Sequence, residues 1–161
     1  MNMTAVNLIS SLLSYDDHQV LILSGLPGAG KTYLCKLLPA HAMKVSADDY
    51  FMCSGKYDFN PTLLPKAHNH CLSLFVASIK DSEKLIVVDN TNLSAWEIAP
   101  YYRLAEVNGY RPTIIRCYCD PYKAFLRQVH GVPAHQFFNM AGRFLANDLP
   151  PFWRVEGLVT G

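Results

Sequence analysis

An apolar run, Val20-Leu21-Ile22-Leu23-Ser24, feeds directly into Gly25-Leu26-Pro27-Gly28-Ala29-Gly30-Lys31-Thr32, and this junction constrains the chain more than any other segment. The eight residues fit the spacing G-x-x-x-x-G-K-[ST] between a strand and a helix. Glycine is needed there because the loop turns sharply and a phosphate must approach the backbone where a Cβ would obstruct it. Backbone N–H groups from Gly28 to Thr32 can wrap a triphosphate, with Lys31 reaching its β/γ oxygens and the Thr32 hydroxyl a Mg2+ ion. The helix that follows adds the positive end of its dipole. The segment predicts a nucleoside triphosphate site.

Composition narrows the rest. The chain has 161 residues, 50% hydrophobic and 17% charged, which suits one folded domain over 1–161 with a real core. A formal net charge of +1 argues against a broad basic surface for non-specific nucleic-acid binding. The five cysteines lack zinc spacing, and Cys117 and Cys119 read as thiols on one face of a strand. Met1 to Ser14 has no basic leader and too short an apolar run to span a membrane, so no membrane partner and a reducing, cytoplasmic-type compartment are expected. Leu8, Ile9, Leu12 and Leu13 mark one face of a helix within an N-terminal helical extension, 1–18.

Strand-like and helical patterns alternate along the whole chain. Strands are expected at Val20–Ser24, Met43–Ser46, Lys84–Val88 and Thr113–Cys119. Helices are expected at Lys31–Leu38, from Asn60-Pro61 onward, behind a capping box at Ser94-Ala95-Trp96-Glu97 with Pro100 bending the helix, and from Asp120-Pro121. Residues 51–61 read as a loop, and the stretch after Pro150-Pro151 as a short tail. Such alternation predicts an α/β fold, a parallel sheet with helices on both faces. The carboxyl ends of parallel strands share one edge, where ligands bind. The glycine loop, Asp48-Asp49-Tyr50 and Asp89-Asn90-Thr91-Asn92 each follow a strand, so all three should face one cleft.

A triphosphate cleft with carboxylates at two strand ends suggests phosphoryl transfer, which needs a metal, cations and a group that accepts the acceptor's proton. Asp48 is the candidate base. Asp89 sits where it could hold Mg2+ or position the acceptor, and Thr91 and Asn92 can donate to a substrate phosphate or sugar. Arg127 is the candidate for developing phosphoryl charge. It opens a lid of about 127–143, in which a Gly/Pro segment leads to a second helix at about Ala134. Arg116 reads as structural and Arg143 as either a lid or a surface charge. The triplet His68-Asn69-His70 falls inside a helix, with His68 expected to pack. Tyr50, Phe51, Tyr57, Phe59 and Trp96 read equally as base-stacking groups or as core cover.

In order along the chain, Gly-Leu-Pro-Gly-Ala-Gly-Lys-Thr (25–32), Ser-Ala-Asp-Asp-Tyr-Phe (46–51), Lys-Tyr-Asp-Phe (56–59), Ala-His (67–68), Asp-Asn-Thr-Asn-Leu (89–93), Trp-Glu (96–97) and His-Gly-Val-Pro (130–133) resemble P-loop kinases of the 5′-hydroxyl polynucleotide kinase group, with their AAA-type ATP-binding domain. The likeness runs from about Val20 to Arg143. It implies a sheet of the nucleoside-kinase type and transfer of the γ-phosphate of ATP to a 5′-hydroxyl end of DNA or RNA. It also implies a nucleotide set of Gly25 to Tyr33 with Arg127, catalysis by Lys31, Asp48 and Arg127, and metal binding by Thr32 and Asp89. Asp49, Tyr50, Asp89, Thr91 and Asn92 would form the acceptor side. Phe51 stands where phage-type members carry an arginine, and Leu126–Pro133 has few arginines, so an acceptor held over only a few nucleotides is expected. The alternatives are a kinase of a small-molecule or tRNA-linked hydroxyl, and a nucleotide-dependent binding module without transfer.

Overall fold

The structure is a computed structural model that describes residues 4–161; the first three residues of the expected N-terminal extension lie outside it. The strands are β1 (Gln19–Ser24), β2 (Met43–Val45), β3 (Met52–Cys53), β4 (Lys56–Tyr57), β5 (Leu85–Asp89), β6 (Arg111–Tyr118) and β7 (Val155–Val159). Five of them form one parallel sheet in the order β2-β5-β1-β6-β7. The chain passes to one side of β1 for β2 and β5 and to the other for β6 and β7, so the order reverses at β1. Leu23, next to last in β1, is level with Asp89 of β5 and Ile115 of β6. That register brings the ends of the central strands to one edge, at the crevice where such sheets take ligands.

Every residue of β1 is buried, as a strand covered on both faces requires. Its side chains alternate between two cores. Leu21 and Leu23 face one with α1 (Ala5–Leu13), α2 (Lys31–Leu37), α5 (Pro121–Arg127) and α6 (Ala134–Ala146), through Leu8, Leu34, Ala124 and Phe137. Val20 and Ile22 face the other with α3 (Leu64–Lys80) and α4 (Ala95–Val107), through Phe75, Ile98 and Tyr101. Phe75 and Phe137, fully buried on opposite faces, each contribute about 2–3 kcal/mol.

The α/β architecture follows the sequence expectation, with three local corrections. Residues 51–61 are not a plain loop: a 3-10 turn over Ala47–Phe51 leads into the antiparallel β3–β4 hairpin. The helix expected from Asn60-Pro61 begins later; the Asn60 side chain caps a 3-10 turn, Pro61–Leu63, by accepting from the Thr62 N–H at 3.0 Å, and α3 starts at Leu64. The stretch after Pro151 is not a tail, because Val155–Val159 pairs with β6 as the sheet's edge strand. Arg116 is structural as expected. Its guanidinium donates to the Phe144 and Asn147 carbonyls at the C-terminus of α6, where the helix dipole is negative. Burial lowers its pKa. Among the described residues, no helix is long and apolar enough to cross a membrane.

Candidate functional site

Beyond β1 the glycine loop is braced on three sides. From the segment after β5, Asn92 is 3% exposed with φ +44°; its Nδ2 donates to the Leu23 carbonyl at 2.7 Å, and its own carbonyl accepts from Ser24 Oγ at 2.7 Å. Just beyond β7, Thr160 Oγ1 donates to the Ala29 carbonyl at 2.6 Å. From α5, the backbone at Ala124 and Gln128 lies directly against Gly28, whose φ is +79°. The Lys31 ammonium donates to the Gly25 and Leu26 carbonyls at 2.9 and 2.8 Å, curling over the loop it would help to charge. Burial pushes its pKa down, and the Asp89 carboxylate pushes part of the way back. Gly30, the N-cap of α2, has no side chain to cap the first turn, so none competes for the N–H groups there.

A cleft of about 340 Å³ opens above the loop. Gly28, Gly30, Lys31 and Thr32 of the loop line it, together with Asp89, Asn90 and Thr91 at the end of β5 and with Asp48, Arg127 and His130. Asp89 Oδ2 accepts from the Cys35 thiol at 3.6 Å and lies 3.8 Å from Lys44 Nζ. Burial and then the Asp89 charge raise the Cys35 pKa to about 12. Thr32 and Asp89 bring a hydroxyl and a carboxylate to the same cleft, a hard-oxygen donor pair that fits Mg2+ completed by phosphate oxygens and water. Arg127 is exposed at the rim, and its guanidinium donates to the Gly161 carbonyl and, at 3.8 Å, to Cys119 Sγ.

A second hollow of about 380 Å³ adjoins the cleft, and Asp48, Asn90, Thr91 and His130 line both. It is also lined by Tyr57 and Phe59, whose rings lie 11° from parallel at 6.3 Å, and by Arg143 from α6. Asp48 is held at the boundary. The Asn90 side-chain oxygen accepts from the Ala47 N–H at 2.8 Å and anchors the 3-10 turn that carries it. Tyr57 OH donates to Asp48 Oδ1 at 3.1 Å, while Oδ2 lies 3.9 Å from His130 Nε2. Burial, followed by the neighbouring Asp48 charge and this hydrogen bond, raises the Tyr57 pKa to about 12, so the phenol remains a donor at any physiological pH.

The structure thus brings Gly28, Gly30, Lys31, Thr32, Asp48, Asp89, Thr91 and Arg127 around one cleft, with Pro27 at its edge. Gly25, Leu26 and Ala29 are buried beneath the loop, and Tyr33 points away and is exposed. Asn92, expected on the acceptor side, instead ties the segment after β5 to the end of β1. Asp49 and Tyr50 lie outside both hollows, Tyr50 against Phe51 and His70. His68, expected to pack, is exposed and lines the second hollow. Sequence reasoning assigned no role to Asn90, His130 or Thr160. Asn90 and His130 fall in segments that carry the resemblance, 89–93 and 130–133, and that membership was the signal that could have found them. The partners of His130 and Thr160 are 82 and 131 positions away, beyond any local pattern.

Comparison with known proteins bears on the fold and the family. A human protein, NEDD4-binding protein 2, is 35% identical over 101 residues, 61% of this chain, and the matched stretch is only 6% of that protein's length. Among solved structures, the Pnkp1/Rnl/Hen1 RNA repair complex superposes with a TM-score of 0.63 at 16% identity, covering 81% of this chain and 45% of the other. A putative kinase from Chloroflexus aurantiacus gives 0.62 at 16% identity, covering 88% of each chain. A sugar kinase from Janibacter sp. gives 0.61 at 13% identity, covering 88% of this chain and 84% of that one. These likenesses establish a P-loop kinase-like fold. The family model described as an AAA domain matches residues 20–130, most of the chain, and the protein belongs to that family.

Proposed function

We propose that the protein is an ATP-dependent kinase that transfers the γ-phosphoryl group to the 5′-hydroxyl of DNA or RNA. The observation that carries this reading is the position of Asp48 on the wall shared by the phosphate cleft and the aromatic hollow. A hydroxyl held in the hollow can meet the carboxylate on one side and the γ-phosphate on the other. Tyr57 occupies Oδ1, which leaves Oδ2 to accept the proton. As the acceptor oxygen bonds to phosphorus, the bond to the β–γ bridging oxygen breaks, the acceptor proton passes to Asp48, and ADP leaves. Lys31 exchanges the loop carbonyls for phosphate oxygens, and Arg127 at the rim offsets charge on the transferred group. Thr32 and Asp89 would hold Mg2+, which draws negative charge from the phosphates when bound.

Support for a nucleic-acid end comes from the resemblance of the 46–51, 56–59 and 89–93 segments, from the paired rings of Tyr57 and Phe59, and from a structural neighbour named for RNA repair. A second reading, a small hydroxyl acceptor, is favoured by the hollow's volume of about 380 Å³, which suits one nucleoside or sugar. The deciding experiment offers labelled ATP and Mg2+ with 5′-hydroxyl DNA and RNA oligonucleotides, in competition with nucleosides and sugars. Transfer to an oligonucleotide that falls about 10²-fold or more in Asp48→Ala, with ATP still bound, is the expected result. Wild-type protein that binds ATP but labels neither oligonucleotide rejects the nucleic-acid reading.

A further inference from the structure

The hollow beside Asp48 does not end at its own walls. Leu64, His68 and Glu97 line it and also line a third hollow of about 530 Å³ between the N-terminal halves of α3 and α4. The two form one trough leading away from the phosphates. Trp96 stands in the far part, 72% exposed, on the first turn of α4. An indole this exposed contributes little to the core and presents a free π-face. Pro65 and Pro100 add flat apolar surface, while Asn69 and His68 add hydrogen-bonding edges. Pro100 has no N–H, so the Trp96 carbonyl lacks the donor that an ordinary residue four positions on would supply. The trough's carboxylate is occupied: Glu97 Oε2 accepts from Ser94 N–H at 2.9 Å and from Ser94 Oγ at 2.7 Å.

We infer that this outer trough is a second nucleobase subsite, in which Trp96 stacks the base that follows the phosphorylated nucleotide. The inference rests on the nucleic-acid reading above and extends it from one nucleotide to at least two. A strand whose 5′-hydroxyl lies at Asp48 must leave the first hollow, and the trough is continuous with it through three shared residues. A flat π-surface with few charges suits a base and tolerates any sequence, whereas a phosphate would call for lysine or arginine, and neither lines this outer hollow. The net charge of only +1 fits the same picture, because stacking rather than phosphate contacts then supplies acceptor affinity.

The test compares acceptor lengths. With saturating ATP and Mg2+, KM is measured for a 5′-hydroxyl nucleoside 3′-phosphate and for a trinucleotide, in wild type and in Trp96→Ala. The expected wild-type KM ratio is about tenfold or more in favour of the trinucleotide, collapsing toward one in the variant and returning in Trp96→Phe. A second readout needs no turnover. Of the two tryptophans, Trp153 is 9% exposed and stacked on Tyr102, so quenching of indole fluorescence by a trinucleotide without ATP reports Trp96. An unchanged length preference in Trp96→Ala, or no quenching in wild type, overturns the subsite while leaving the kinase reading intact. Failure of the wild type to phosphorylate any oligonucleotide overturns both.

Discussion

Gly28 is the point at which the glycine loop meets the end of α5, and replacing it with alanine should cost far more than a surface glycine replacement. Its φ of +79° already disfavours an L-residue, by about 1–2 kcal/mol. A Cβ there would also overlap the Ala124 carbonyl oxygen and stand 3.0 Å from both the Ala124 carbonyl carbon and the Gln128 nitrogen. All three are backbone atoms, and the Gln128 N–H donates to that same Ala124 carbonyl at 3.0 Å. The methyl group would therefore wedge into the last hydrogen bond of α5, where no side chain can swing aside, adding about 1–3 kcal/mol of overpacking. A total of about 2–5 kcal/mol corresponds to a Tm loss of roughly 4–20 °C for a domain of this size. Gly131→Ala is the internal control. Its φ is +67° and nothing lies within 4 Å of the new Cβ, so only the conformational cost of about 1–2 kcal/mol applies. Thermal melts of both variants, followed by titration with an ATP analogue, separate the two terms. Gly28→Ala should also bind nucleotide more weakly, since Arg127 directly precedes Gln128. Equal Tm losses for the two variants would refute the argument that α5 seals the loop.

Two further tests address the surroundings of the acidic residues. Tyr57→Phe should lower the transfer rate about tenfold by freeing Asp48 to rotate, with a smaller effect on ATP affinity. Because the folded pKa of Tyr57 is raised to about 12 from 10, its favourable contribution is complete below pH 10 and is lost as pH rises through 12. A difference titration between wild type and Tyr57→Phe should accordingly place this phenol near pH 12, and ionisation near 10 would contradict the contact with Asp48. The thiols should divide by environment. Cys53 is exposed, whereas Cys35 is half-buried beside Asp89 with its pKa raised to about 12, leaving about one thiolate in 10⁴ at pH 8. A thiol reagent at pH 8 should give a fast phase that Cys53→Ser removes, and labelling of Cys35 at a similar rate would show that the Asp89 environment is not as described.

The sheet was legible because its central strands are buried on both faces and so are written as unbroken apolar runs, which Val20–Leu23 and Leu85–Val88 display. β7 was not, for the converse reason. An edge strand has one neighbour, and in Val155-Glu156-Gly157-Leu158-Val159 only Leu158 is buried, so neither continuity nor alternation marks it. The β3–β4 hairpin has two residues per strand, too few for any period. At the site, residues required by local chemistry were readable: the loop's spacing and the acids at strand ends depend only on near neighbours. Asn92 misled because a polar residue after a strand serves equally to touch a substrate or to satisfy a neighbouring carbonyl. Burial decides between those roles, and burial is a property of the packed molecule.

The two halves of the site are built to different standards of rigidity. On the phosphate side, the loop is held by the segment after β5, where Asn92 fixes the end of β1 and the Thr91 carbonyl accepts from the Gly25 N–H at 2.8 Å, by Thr160 beyond β7, and by the backbone of α5, three elements far apart in the chain. Moving the loop therefore means disturbing the sheet, and a triphosphate would meet donors already in place, which reduces the entropy lost on binding. The acceptor side is local by comparison. Asp48, Tyr57 and Phe59 lie within a dozen residues, on and just beyond a 3-10 turn and a minimal hairpin, joined to the segment after β5 through Asn90 and to the core through Ala47 and Phe51. Substitutions in the hairpin should accordingly change which acceptor is taken while leaving nucleotide binding nearly intact. Substitutions at Thr160 or Asn92, though neither lines the phosphate cleft, should weaken nucleotide binding first.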